Sequence, residues 1–145
     1  MTADLSALIA RLEAAEVGSR ELDALIWLRF NRPEYSGGVK ALEMRGWYDG
    51  RGHMILETDT GEEVADDLGI GNYTTSLDAA LALAERVLPV FGWEIHYDEV
   101  SGGIFAWVGE RMAIYGLERG HRGYANTPAL ALCIAILRAK QGEGE

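Results

Sequence analysis

The chain has 145 residues, thirteen basic and twenty-three acidic, for a net charge of −10. That balance excludes a coat for DNA or RNA, because binding a polyanion needs a positive field. The 48% hydrophobic share is that of a folded globule rather than a disordered tail, and the length suits one domain over 1–145 that buries roughly two thirds of its unfolded surface. A single cysteine rules out an internal disulfide or a multi-cysteine zinc site and fits a reducing cytoplasm. No run approaches the ~18 to 20 consecutive apolar residues of a membrane span. The start MTADLSALIARLEAAE, with charges at Asp4, Arg11, Glu13 and Glu16, lacks the basic and apolar blocks of a signal peptide.

A helical pair is expected over 1–31. Leu5, Leu8, Ile9 and Leu12 recur at helical spacing behind Thr2 or Asp4 as a cap, and Gly18 ends the run. Ser19 can cap a second helix with Leu22, Leu25, Ile26 and Phe30 as its stripe, stopped by Pro33. The glycine-rich stretch 34–72 predicts two strands, VKALEMRGWY and HMILET, around a turn at Asp49-Gly50 and Gly52. Six acids and no base lie between Glu57 and Asp67, which reads as a solvated loop or, less commonly, as a docking surface for a basic partner.

Ser76 caps SLDAALALAERVL, with Asp78 in the first turn, and the expected buried stripe is Leu77, Ala80, Leu81, Ala84, Val87 and Leu88. GWEIHYD alternates as a half-buried or edge strand, with Trp93, Ile95 and Tyr97 opposite Glu94, His96 and Asp98. After a turn at Ser101-Gly102-Gly103, GIFAWVG is apolar on both faces, which implies layers on both sides of a sheet. RMAIYGL follows as a third strand across a short turn at Gly109-Glu110. Thr127-Pro128 opens a last helix, TPALALCIAILRAK, apolar almost all round and therefore fully buried or packed on a second chain. The tail 140–145 is expected to be flexible. Four helices around strands covered on both faces predict an α/β fold: a three-layer α/β/α sandwich with an antiparallel or mixed sheet, or alternatively a two-layer α+β arrangement.

GNYTTSLDAALALAERVLPVFGWEIH followed by ANTPALALCIAILRA, with the leader DLSALIARLEAAEVGSRELDALIW, resembles the phage ABA sandwich domain family over residues 4–27 and 72–139. The resemblance implies a layered α/β/α fold and a phage or prophage protein acting in the host bacterial cytoplasm. It implies no activity. The matching positions Ser76, Leu77, Leu81, Trp93, Thr127 and Pro128 look like caps and core, and none is carried over as catalytic.

No constellation points to an enzyme. His53, His96 and His121 are far apart, and the adjacent acids Asp66-Asp67 and Asp98-Glu99 do not point to one side, so no metal is expected. Cys133 sits in the most apolar helix, where a thiol is a small hydrophobe. There is no G-x-S-x-G, P-loop or dinucleotide fingerprint, and no cofactor is expected.

The charge distribution is more informative. Between Arg111 and Lys140 the bases Arg111, Arg119, Arg122, Arg138 and Lys140 face Glu118 alone. RGHRGYANTP reads as a loop bringing Arg119, His121, Arg122, Tyr124 and Asn126 to a helix N-terminus at Thr127, an anion site by N–H groups, dipole and guanidinium. GIGNYTTSL repeats the pattern with Tyr73, Thr74 and Ser76. Trp47 and Tyr48, beside glycines, are the aromatic pair expected to be exposed, and the Val39–His53 segment is expected to act as a lid. The expectation is a non-enzymatic phage protein that sequesters a nucleotide-like small molecule, such as a host anti-phage immune signal. Its rivals are an acidic inhibitor of a host defence or nuclease complex and an accessory phage protein without ligand. A homo-oligomer is expected from the last helix, and no nucleic acid polymer or membrane partner.

Overall fold

The computed structural model describes residues 2–32, 43–46, 52–57, 63–66, 69–97, 99–100, 102–112 and 116–143. The elements in chain order are α1 (Thr2–Ala14), α2 (Arg20–Asn31), β1 (Glu43–Gly46), β2 (Gly52–Glu57), β3 (Glu63–Asp66), α3 (Leu77–Val87), β4 (Phe91–Tyr97), β5 (Ile104–Met112), β6 (Gly116–Ala125) and α4 (Pro128–Glu143). The fold is mixed α/β with antiparallel sheets. It divides into two compact units, Met1–Ser19 with Asn72–Glu145, and Arg20–Gly71, so the helical pair expected over 1–31 is shared between them.

In the larger unit β4, β5 and β6 form a meander in that order, with β5 central. β5 runs straight through Gly109-Glu110, where the sequence pattern predicts a turn, and only the register with β6 shifts there. Gly102, at φ +77°, lies in the connection from β4 to β5, a left-handed conformation that glycine adopts without strain. α4 packs on β5 and β6, and its remaining sides meet α1 and α3. Every residue from Ala129 to Leu137 is buried, as is Ala139. The apolar circumference of α4 is therefore satisfied within its own chain and carries no argument for a second copy.

The fit of α4 on the sheet is tight enough to need a missing side chain. A Cβ on Gly123 would stand 2.2 Å from the carbonyl oxygen of Ala131 and 2.7 Å from the Ala135 nitrogen. Since directly paired residues share a face, Ala106 opposite Gly123 and Val108 opposite His121 also point at α4. Phe105 and Trp107 point the other way, and among the described residues the helices of this unit, α1, α3 and α4, pack with one another on the α4 face. The covering layer that sequence pattern places on both faces of β5 is, within this unit, present on one face. By itself the unit has the two-layer arrangement.

The N-terminal stripe behaves as its spacing predicts, with Leu5, Leu8, Ile9 and Leu12 all buried. In α3 the buried residues are Ala80, Leu83 and Ala84, with Leu88 after the helix, whereas Leu77, Leu81 and Val87 are half-buried, so the stripe is rotated toward Leu83. The expected flexible tail is helical through Glu143. Lys140 Nζ donates to the Val87 carbonyl (3.3 Å) and Gln141 Nε2 to Ser6 Oγ (2.7 Å), tying the end of α4 to the α3 terminus and to α1.

In the smaller unit β1, β2 and β3 form an antiparallel meander. β1 falls inside the first strand expected from sequence and β2 overlaps the second, starting one residue earlier at Gly52, but β3 lies inside the acidic run read there as a loop. The cause is the apolar pair within that run. Ala65 is buried and Val64 half-buried against Ala24, Leu28, Leu56 and Ile70, and pairing with β2 satisfies the backbone. α2 buries Leu22, Asp23, Ala24, Ile26 and Leu28, while Leu25 and Phe30 are half-buried. Asp23 is 0% exposed and pairs with the Arg20 guanidinium at 2.9 Å, which also donates to the carbonyls of Gly71 (3.1 Å) and Ile70 (3.0 Å).

Candidate ligand-binding site

The starts of α3 and α4 are built alike. Ser76 adopts extended dihedrals (φ −124°, ψ 118°), its hydroxyl accepts from the Ala79 N–H (3.2 Å) and its carbonyl from the Ala80 N–H (3.0 Å). Thr127 does the same for α4, its hydroxyl accepting from the Leu130 N–H (3.3 Å) and its carbonyl from the Ala131 N–H (3.0 Å). Each cap settles the N–H of the third residue of its helix, and the first-turn N–H groups ahead of it have no carbonyl within the helix to receive them.

Both starts open on one cavity of about 280 Å³, lined by Gly18, Thr74, Thr75, Leu77, Thr127 and Ala129 among others. Thr74 is 1% exposed and fixes one wall. Its Oγ1 accepts from the Ser19 N–H (2.9 Å) and donates to the Ser19 carbonyl (3.1 Å). Gly18 lies so close to the Thr74 backbone that a Cβ would stand 2.1 Å from its carbonyl oxygen. Tyr73 is buried in the same turn, and its carbonyl accepts from the Cys133 thiol at 3.3 Å.

The basic residues are placed elsewhere. Arg119, His121, Arg122 and Tyr124 lie in β6, not in a loop feeding α4. The glycines that give this segment its loop-like composition are strand positions where a side chain would not fit: Gly123 against α4, and Gly120 against the Trp107 indole, whose Nε1 is 1.0 Å from where a Cβ would be. His121 stands beside Gly142, near the C-terminal end of α4, roughly 20 Å along the helix from the cavity at 1.5 Å per residue. Asn126 Nδ2 donates to the Glu16 carbonyl (3.4 Å). Trp47 and Tyr48 and most of the Val39–His53 segment lie outside the described residues.

Arg122 and Tyr124 lie on the face of the sheet away from α4. Arg122 Cζ is 4.9 Å from the Trp107 ring centroid and 5.6 Å from that of Phe105. The Tyr124 ring is 5.5 Å from Phe105 at 38°, and His96 stacks on Phe105 at 5.0 Å and 21°. His96 Nε2 is 2.8 Å from Glu94 Oε1. Sequence alone does not reveal Phe105 and Trp107 as partners of Arg122, or His96 as a partner of Phe105. The alternation of GWEIHYD and IFAWVGE separates the two faces, but only the strand register shows that these residues share one with Arg122.

Thus the structure brings Thr74 and Thr127 onto one cavity, sets Tyr73 and Ser76 in the adjoining turn, and removes His121, Arg122 and Tyr124 from it. Among the described residues no three His, Cys, Asp or Glu side chains are close enough to hold a metal ion, and no helix is long and apolar enough to cross a membrane. Comparison with known protein families, curated proteins and solved structures finds no match.

Proposed function

We propose that this chain is a small, non-enzymatic binding protein for a nucleotide-like small molecule. The observation that supports this reading is the single cavity on which the starts of α3 and α4 open. Two helix N-termini add their positive dipole ends, and first-turn N–H groups such as those of Leu77 and Ala129 are the donors an anionic group needs. A cavity of about 280 Å³ has room for a phosphate and part of what it is attached to, not for a polymer. Sequestration requires burial and complementary donors rather than a reactive group, which suits a chain without a catalytic constellation. The resemblance to the phage ABA sandwich domain family supplies the context: a phage protein in the host bacterial cytoplasm that withdraws a signal such as an immune nucleotide.

The test is a thermal-shift panel of linear and cyclic mononucleotides on the full chain. A ligand at a hundred times its Kd stabilises by about 2.7 kcal/mol, which at roughly 3 °C per kcal/mol for a chain of this size is a rise of about 8 °C. Thr75→Asp is the companion variant. Thr75 is exposed on the cavity wall just ahead of α3, so the carboxylate suits the helix dipole and spares the fold while opposing a bound anion. Stabilisation lost in Thr75→Asp supports the reading. A panel in which no nucleotide raises the midpoint rejects it.

A further inference from the structure

The face of β4–β5–β6 away from α4 carries a second arrangement, which the cavity does not use. Strand register sets His96, Phe105 and Tyr124 in one cross-strand row and Glu94, Trp107 and Arg122 in the next. In the first row three rings stand side by side, His96 against Phe105 at 5.0 Å and Phe105 against Tyr124 at 5.5 Å. Its two ends are open: Tyr124 is 47% exposed and so is the His96 side chain. In the second row the Arg122 guanidinium is held against the Phe105 and Trp107 rings, its Cζ 5.6 and 4.9 Å from their centroids, on a side chain that is itself exposed. No hydrogen bond or ion pair joins that side chain to any described residue. The carboxylate of its own row, Glu94, is taken by His96.

A rank of aromatic rings open at its two ends, beside a guanidinium held against ring faces, has a definite complement. The rings offer apolar faces to a planar ring, and the guanidinium offers paired donors to a phosphate or carboxylate at its edge. We infer that this sheet face binds a nucleobase-phosphate, its planar ring against the His96–Phe105–Tyr124 row and its anionic group on Arg122. The inference takes its ligand class from the nucleotide reading above but not its location. The net charge of −10 selects a single nucleotide over a polymer, since one guanidinium cannot offset repulsion along a polyanion.

The experiment is calorimetric titration of the full chain with AMP, adenosine and ribose 5-phosphate. AMP is expected to bind at least tenfold more tightly than either fragment. Tyr124→Ala and Arg122→Ala each weaken AMP binding on the order of tenfold, the worth of one stacked ring or one charge-assisted contact. Tyr124→Phe retains affinity, and Arg122→Lys does not, because an ammonium keeps the charge without the planar donor edge. Both side chains are exposed, so an unchanged thermal midpoint is the control for folding. If AMP binds and Tyr124→Ala and Arg122→Ala leave its affinity intact while Thr75→Asp abolishes it, the ligand sits at the helix starts; this inference falls and the nucleotide reading stands. The converse pattern places the ligand on the sheet face and removes the cavity. AMP binding no better than ribose 5-phosphate overturns the stacking, and no AMP binding overturns the inference outright.

Discussion

Gly123→Ala is the smallest change that tests how the larger unit is held together. The added methyl would stand 2.2 Å from the Ala131 carbonyl oxygen, 2.7 Å from the Ala135 nitrogen and 2.7 Å from Ile134 Cβ, where ordinary contacts lie at roughly 3.5–4.0 Å. Two of the three obstacles are backbone of α4, which cannot rotate aside as a side chain can. The helix must withdraw by about 1 Å, and a gap of that size forfeits a quarter to a half of each dispersion contact across it. The contacts at stake are those of Ala106 and Val108 on β5 with the fully buried side of α4. Overpacking alone costs about 1–3 kcal/mol, and loosening the seam raises the total to about 4 kcal/mol. At roughly 3 °C per kcal/mol the melting midpoint falls by about 12 °C, read by circular dichroism at 222 nm. Gly102→Ala is the control. Its φ of +77° meets no atom within 4 Å, so it loses only about 1 kcal/mol of backbone preference. Alanine favours a strand more than glycine does, so propensity alone predicts a gain at 123. A Gly123→Ala variant within about 1 kcal/mol of the parent would refute the close approach of β6 and α4.

Three further outcomes follow from single contacts. Arg20→Met removes an ion-pair partner of the buried Asp23 carboxylate together with two bonds to Ile70 and Gly71, and is expected to cost about 3 kcal/mol in urea unfolding; a loss under 1 kcal/mol would show that this ion pair is not needed. Ser76→Ala deletes the hydroxyl that accepts the Ala79 N–H and should cost about 1 kcal/mol, with Ser76→Gly costing only a few tenths. Cys133 is buried, with its thiol on the Tyr73 carbonyl, so its modification by a thiol reagent should run at the rate of protein opening and accelerate with urea; fast labelling of the native protein would contradict its placement.

Local chemistry was legible wherever it decided the structure. Ser76 and Thr127-Pro128 mark helix starts because a cap and a proline act within one turn, and both helices begin there. The α1 stripe reads correctly because its apolar residues face one way. Errors arise where a distant partner overrides local composition. Gly120 and Gly123 look like a loop until Trp107 and α4 are in place against them. Val64-Ala65 looks incidental among acids until β2 pairs with it. α4 looks like an oligomer interface because sequence does not say that α1 and α3 both reach it. The site divides the same way. Two capped starts can be read from sequence, but their opening on a common cavity depends on how α3 and α4 pack. The partners of Arg122 depend on a register set between strands.

The same separation reinterprets the basic C-terminal part of the chain. By sequence its five bases form one local excess beside a helix start. Of the three whose side chains are described, two are engaged in holding helices. Arg138 binds Glu13 on α1 and the Arg122 carbonyl (2.6 Å) on β6, and Lys140 binds the Val87 carbonyl at the end of α3. Their charge is committed to internal acceptors and contributes little field to a ligand at the other end of α4. Arg122 is different because its own contacts are ring faces, which orient a guanidinium without neutralising it or occupying its N–H edge. A cation stabilised by rings, with no hydrogen-bond or ion-pair partner among the described residues, costs the fold little to replace and a ligand much to lose. For that reason Arg122, rather than the regional charge, is the residue on which anion recognition by the sheet face depends.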